Sequence, residues 1–159
     1  MIKMETQRLI ISDHKIEDLA GINELLTNEK AMYFIQDLQC KSLEESKEYV
    51  GEVGFTILAN SPLGHQAGLG YFILPRFWGK GFTTEAVKRV LDFAFEEADI
   101  FKITTGCIKN NFASEKIMIK CNMTKEADYK KHIWHDGEWK DRLEYRMLRT
   151  EWQAIKEMK

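Results

Sequence analysis

Apolar positions along this chain follow two rhythms, a period of two and a period near 3.6, and the switches between them mark out its elements. Residues 7–12 (Gln-Arg-Leu-Ile-Ile-Ser) predict a first strand, with Asp13 capping a helix whose apolar positions are Ile16, Leu19, Ile22, Leu25 and Leu26. Ser42 and Glu45 fit a capping box that opens a second helix, through Val50. Residues 52–59 predict a strand and 60–64 a turn. A short apolar run from Gly68 to Leu74 predicts a buried strand that Pro75 ends, since proline has no N–H for a sheet ladder. Then Ala86, Val87, Val90, Leu91 and Ala94 line one helical face over 83–97, with Glu85, Lys88, Arg89, Asp92 and Glu96 on the solvated side. A strand over 102–108, a helix over about 112–121 stopped by Asn122, and a hairpin of 129–135 and 138–148 around Asp136-Gly137 complete the pattern. The fold class is mixed α/β in a single domain, residues 1–159.

The strand–loop–helix unit at 68–97 carries the first chemical hint. The first N–H groups of a helix have no internal partner and lie at the positive end of its dipole. Gly79 and Gly81 before that helix let backbone approach a phosphate without side chains in the way. On glycine spacing alone, tight packing of a strand–turn–helix is the simpler reading.

Composition removes several alternatives. At 159 residues, 44% hydrophobic and 30% charged, the chain is long enough for one core and ordinary for a globular domain. A net charge of −2 gives no footprint for nucleic acid or an anionic membrane. Three cysteines (Cys40, Cys107, Cys121) with no apolar N-terminal segment point to free thiols and a cytoplasmic setting. His132 and His135, three apart on a strand, leave opposite faces and do not chelate one metal together, so no metal is expected.

Two phosphate-loop classes are excluded. A triphosphate loop needs Gly-x-x-x-x-Gly-Lys-Ser/Thr, but Leu74 stands at its first glycine and Gly81 follows the lysine. A dinucleotide fingerprint needs a third glycine where Thr84 stands. What remains is Arg-x-x-Gly-x-Gly at Arg76–Gly81, between strand and helix. With Glu5-Thr6-Gln7-Arg8-Leu9-Ile10, Gly70-Tyr71, Thr84-Glu85-Ala86, Asn111-x-x-Ser114, the run His135–Asp141 and Glu151-Trp152, the chain resembles the GNAT superfamily of acyl-coenzyme A N-acyltransferases. It is most similar to the ribosomal-protein N-terminal acetyltransferase branch.

The resemblance implies a central mixed, mostly antiparallel, twisted sheet flanked by helices, with its middle strands splayed. It implies direct acetyl transfer from acetyl-coenzyme A, as co-substrate, to a primary amine through a tetrahedral intermediate. The acceptor would be a protein N-terminal α-amine or a small molecule, and the protein a monomer or homodimer. By resemblance Arg76, Phe77, Trp78, Gly79, Lys80, Gly81, Phe82 and Thr83 hold the coenzyme pyrophosphate; backbone groups of Phe72, Ile73 and Leu74 pair with pantetheine; and Asn111 and Ser114 sit beside the thiol. Against the family pattern one hairpin strand before the central one is expected to be absent, because Ser46–Val50 runs at once into Gly51–Phe55, either through a shortened sheet or through a segment left out of this sequence. Met118 stands where many members carry a tyrosine acid, which leaves Ser114 as the nearest candidate. Thr104, Thr105 and Gly106 stand where some carry a glutamate, which leaves Glu52, Asp141 and Tyr145 as candidate bases, each more simply a solvated or packing residue. Trp134 and Trp139 are candidates to line an acceptor pocket or meet a partner chain. A non-catalytic acyl-coenzyme A sensor is the rival reading, and thiol release on addition of amines separates the two.

Overall fold

The computed structural model describes residues 2–33 and 50–158. They fall into two compact units, one drawn from the chain up to Val53 with Tyr71–Arg89, the other from Gly54–Gly70 and the chain from Val90 onward.

In the first unit β1 (Lys3–Glu5) and β2 (Ile10–Ser12) pair antiparallel, with Lys3 opposite Ser12. The strand expected over 7–12 is therefore only its last three residues. The chain instead turns at Thr6, whose hydroxyl oxygen accepts the N–H groups of Arg8 (3.3 Å) and Leu9 (2.9 Å). Asp13 caps no helix either; its carboxylate accepts the Ile2 N–H at 2.6 Å and closes the hairpin. Helical structure begins with a 3-10 turn, Ile16–Asp18, followed by α1 (Leu19–Thr27) and α2 (Glu29–Met32), the last capped by Asn28. The helical spacing is borne out, but burial is confined to its later part: Ile16 and Leu19 are exposed, whereas Leu25 and Met32 are buried. The helix expected over 42–50 lies outside the described residues except for Val50.

A five-stranded sheet has the order β3 (Gly51–Ser61), β4 (Gly64–Ile73), β5 (Ile100–Ile108), β7 (Glu138–Leu148), β6 (Thr124–His135). β4 and β5 run parallel, while β5–β7 and β6–β7 are antiparallel, giving the mixed sheet that the resemblance implies. Registered β4–β5 pairs stop at Gly68–Thr104, and Thr105 then reaches the Leu69 carbonyl with its hydroxyl at 2.9 Å. The ladder gives way there to a side-chain bond. In this sheet β3 alone of the described strands precedes β4 in the chain, and residues 34–49, which bear on the expected missing strand, are outside the description.

The helices α3 (Phe82–Glu96) and α4 (Phe112–Lys120) lie within one residue of expectation. No element was expected at α5 (Arg149–Glu157), yet it accounts for the Glu151-Trp152 pair. The Glu151 carboxylate accepts the Leu148 N–H at 2.9 Å and pairs with Arg146; the Trp152 indole donates to Asp92 at 2.9 Å and packs on Phe95. Ile100, Ile103, Met118, Leu143 and Met147 form the buried centre of the second unit. Among the described residues no helix is long and apolar enough to cross a membrane.

Asn122 ends α4 at φ 59°, the left-handed stop expected of it, and the Met123 N–H returns to the Met118 carbonyl at 3.1 Å. Asn122→Gly is expected to raise stability slightly and Asn122→Val to lower it by about 1–2 kcal/mol, read from urea midpoints.

Candidate functional site

The loop before α3 is built to leave donors exposed. Pro75 opens a 3-10 turn, Pro75–Phe77, in which the N–H groups of Phe77 and Trp78 bond back to Leu74 and Pro75. Gly79 (φ 73°) and Gly81 (φ 83°) then adopt left-handed backbone that a Cβ disfavours. Space around Gly79 is open, since a Cβ there would meet nothing within 4 Å. The Gly81 carbonyl accepts the Glu85 N–H at 3.1 Å, so the helical ladder starts at Gly81. Among the described residues no acceptor bonds the N–H groups of Gly79, Lys80, Gly81, Phe82 or Thr83.

Cations gather at this loop. The Arg76 guanidinium forks onto the Glu24 carboxylate, with Nη2 to Oε2 at 3.0 Å. The Lys80 ammonium lies 5.5 Å from the centre of the Phe77 ring, which itself packs edge-on against Phe82. Phe77 is thus a packing residue, while Trp78 is half exposed.

Strand geometry corrects one expectation. Amide groups of successive strand residues point to opposite edges. The Leu74 N–H donates to the Val50 carbonyl at 3.0 Å, so the amides of Leu74 and Phe72 face β3. Those of Tyr71 and Ile73 face the other edge, and of the three residues named for pantetheine only Ile73 stands there. Its carbonyl accepts the Trp78 indole N–H at 3.0 Å.

Glu85 is the residue the sequence misread. Expected on the solvated face, its side chain is only 18% exposed. It accepts from the Thr6 hydroxyl (2.5 Å), the Arg8 N–H (2.9 Å) and Arg8 Nε (2.7 Å). The Thr6 hydroxyl first, then Arg8, hold its carboxyl below the usual glutamate range. Glu52 faces His14 at 3.5 Å, in the same unit.

The second unit gathers the other candidates. Asn111 caps α4, its Oδ1 accepting the Ser114 N–H at 3.1 Å, and its carbonyl accepts from the Cys107 thiol at 3.8 Å. Ser114 also hydrogen-bonds the Cys107 thiol, but burial dominates and pushes that thiol up. Cys107 and Cys121 are buried and unbridged, as expected; Cys40 lies outside the described residues. Tyr145 is buried and donates to Glu115 at 2.8 Å; burial, then Glu115, raise its pKa, so it holds its proton. Asp141 accepts the Lys131 N–H (3.0 Å) and the Lys130 ammonium (3.1 Å), which depress it in that order. Neither Tyr145 nor Asp141 is arranged as a base. Met118 is fully buried. His135 is buried and His132 stacks on Tyr129 at the surface. Trp139, edge-on to Trp134, lines an open hollow of about 180 Å³ with Ile108, Asn110 and Asp141. A Cβ at Gly106 would collide with the carboxylate of Glu144 and the guanidinium of Arg142, which occupy that space. Sequence reading missed Glu144, whose only signal is its cross-strand register with Gly106.

Residues 42–124, more than half the chain, match the family described as the acetyltransferase (GNAT) domain. The chain belongs to the GNAT acetyltransferase family. It is 24% identical to the N-acetyltransferase YnaD of Bacillus subtilis, over 92% of this chain and 97% of that one. It is 25% identical to the [ribosomal protein uS5]-alanine N-acetyltransferase of Escherichia coli, over 84% of this chain and 66% of the relative. The fold is that of the spermidine N-acetyltransferase of Vibrio cholerae, solved with CoA and spermine: TM-score 0.75, 18% identity, covering 88% of this chain and 95% of that one. This GNAT protein is therefore an N-acetyltransferase.

The depressed Glu85 carboxyl adds stability that is complete above the ordinary glutamate value and drains as pH falls through its lowered one. Between roughly pH 5 and 3, wild type should lose stability more steeply than Glu85→Gln, read as urea midpoints across the series.

Proposed function

We propose that the loop from Arg76 to Thr83 holds the pyrophosphate of acetyl-coenzyme A, and that this N-acetyltransferase passes the acetyl group directly to a primary amine. The observation that carries this is the left-handed pair Gly79 and Gly81, within a run of five N–H groups, Gly79 to Thr83, that have no acceptor among the described residues and lead into α3. Their fit to a phosphate is physical: donors, dipole and open space coincide. The coenzyme supplies an acyl thioester already activated toward amines. The chain supplies orientation, with the outward amide of Ile73 as a strand-edge partner for pantetheine in place of those of Phe72 and Leu74. One such aimed N–H, at the thioester oxygen, would contribute roughly 3–4 kcal/mol to the developing oxyanion. Asn111 and Ser114 are joined through the α4 cap, and Ser114 is the proton donor we assign to the leaving thiolate.

A protein N-terminal α-amine is the favoured acceptor, supported by the uS5-alanine relative; the spermine-bound fold neighbour keeps polyamines in the test. Glu52, held near His14, remains the candidate to receive the amine proton. Thiol release from acetyl-coenzyme A, followed with a chromogenic disulfide, is expected with N-terminal peptides above the rate with spermine or spermidine. Turnover of polyamines alone would overturn the acceptor assignment, and none with any amine the transfer itself.

Because asparagine tolerates left-handed backbone, Gly79→Asn fills the open space with little strain. It should weaken coenzyme A binding at least about tenfold by calorimetry while shifting stability by under about 1 kcal/mol. Equal losses in both would return the loop to a packing role.

A further inference from the structure

Arg8, distant in sequence from the coenzyme loop, meets it through most of its donors. Its Nε donates to Glu85 Oε2 at 2.7 Å and its Nη2 lies 2.6 Å from the same oxygen. Its Nη1 donates to the Lys80 carbonyl at 3.0 Å. The guanidinium covers the Phe82 ring at 4.6 Å, and Nη2 would lie 3.5 Å from a Cβ on Gly81. One arginine thus touches Lys80, Phe82 and Glu85, with the Thr6 hydroxyl and its own N–H on the second Glu85 oxygen.

The electrostatics give this contact a consequence beyond stapling the β1–β2 hairpin. A carboxylate in the first turn of a helix is favourable on its own, but it opposes any second anion brought to the same N–H groups. A backbone carbonyl within the loop, the negative end of a peptide dipole, does the same if it turns toward the ligand. Arg8 deals with both: it neutralises Glu85 and ties down the Lys80 carbonyl. An arginine suits this because its planar fork spans carboxylate and carbonyl together, which a lysine ammonium does not.

We infer that Arg8 is a positioning residue for the coenzyme pyrophosphate, fixing the Lys80–Phe82 turn and cancelling the Glu85 charge so that the start of α3 accepts a phosphate anion. The inference rests on the coenzyme reading of the loop made above. Arg8 itself is assigned no contact with the coenzyme.

The test compares acetyl-coenzyme A with S-acetylpantetheine, which carries the same thioester and no pyrophosphate, on the full chain. Arg8→Met is expected to raise the Kd for coenzyme A and the KM for acetyl-coenzyme A at least about tenfold, with KM for S-acetylpantetheine and kcat within about twofold of wild type. Adding Glu85→Gln to Arg8→Met should recover a large part of the lost affinity, because the unneutralised carboxylate is then gone. Arg8→Lys should fall between wild type and Arg8→Met. Equal losses for both thioesters, or a double variant no better than the single, would overturn the inference and leave Arg8 as a structural staple. Should Arg8→Met not fold, Glu85→Gln and Arg8→Lys decide: Glu85→Gln should bind coenzyme A at least as tightly as wild type, and a tenfold loss there overturns the inference. Wild type that binds no coenzyme A at all overturns the coenzyme reading itself, a result separable from failure of the Arg8 variants alone.

Discussion

The start of a helix leaves several N–H groups without internal acceptors, and at α3 the surrounding chain is arranged to keep them that way. At three other described helices such ends are closed locally. Asn28 closes α2, Asn111 closes α4, and Glu151 bonds back to Leu148 at α5. At α3 the residues before the helix are glycines and a lysine whose backbone offers donors and no side-chain acceptor. The nearest carboxylate, Glu85, is taken by Thr6 and Arg8. Pro75 ends β4 abruptly enough for the turn to fall directly in front of the helix.

What could be read from the sequence was what is decided within a few residues. The α3 stripe, the left-handed Asn122 and the Asp136-Gly137 turn, with both residues at positive φ, follow from local backbone and side-chain rules. What escaped depends on partners far along the chain. Glu85 looks like any solvated helix residue until Thr6 and Arg8 arrive from the first hairpin. The space at Gly106 reads as a missing side chain until β7 places Glu144 and Arg142 across it. Phe72 and Leu74 were legible as strand residues, but which edge their amides face depends on the bond from the Leu74 N–H to the Val50 carbonyl. Asp13 shows the same limit: its type and position suit a helix cap, yet the Ile2 N–H claims it.

Proton traffic in the second unit is constrained by how its charges are already spent. Asp141 is held by Lys130 and the Lys131 N–H, and Glu115 is shared by Lys125 and Tyr145. A carboxylate stabilised in its charged form is a weak proton acceptor, and a buried phenol that donates to a carboxylate is a poor one too. Bonds of this kind fix the sheet face and leave little freedom for chemistry.

The outer strand β6 has one further consequence. It is an edge strand of the described sheet, mostly exposed, and its hairpin carries the exposed Trp134 and Trp139. A long flat edge of this kind is a template for another chain to add a strand. Its register with β7 is broken twice, between Lys125 and Ala127 and between Tyr129 and Ile133, and Lys131 sits within the second break at φ 47°. Each break bends the strand and interrupts its row of outward amides, while Lys125, Lys130 and Lys131 add charge along it. The hairpin can thus show two tryptophans to solvent without offering the continuous hydrogen-bonding edge on which sheet-to-sheet aggregation depends.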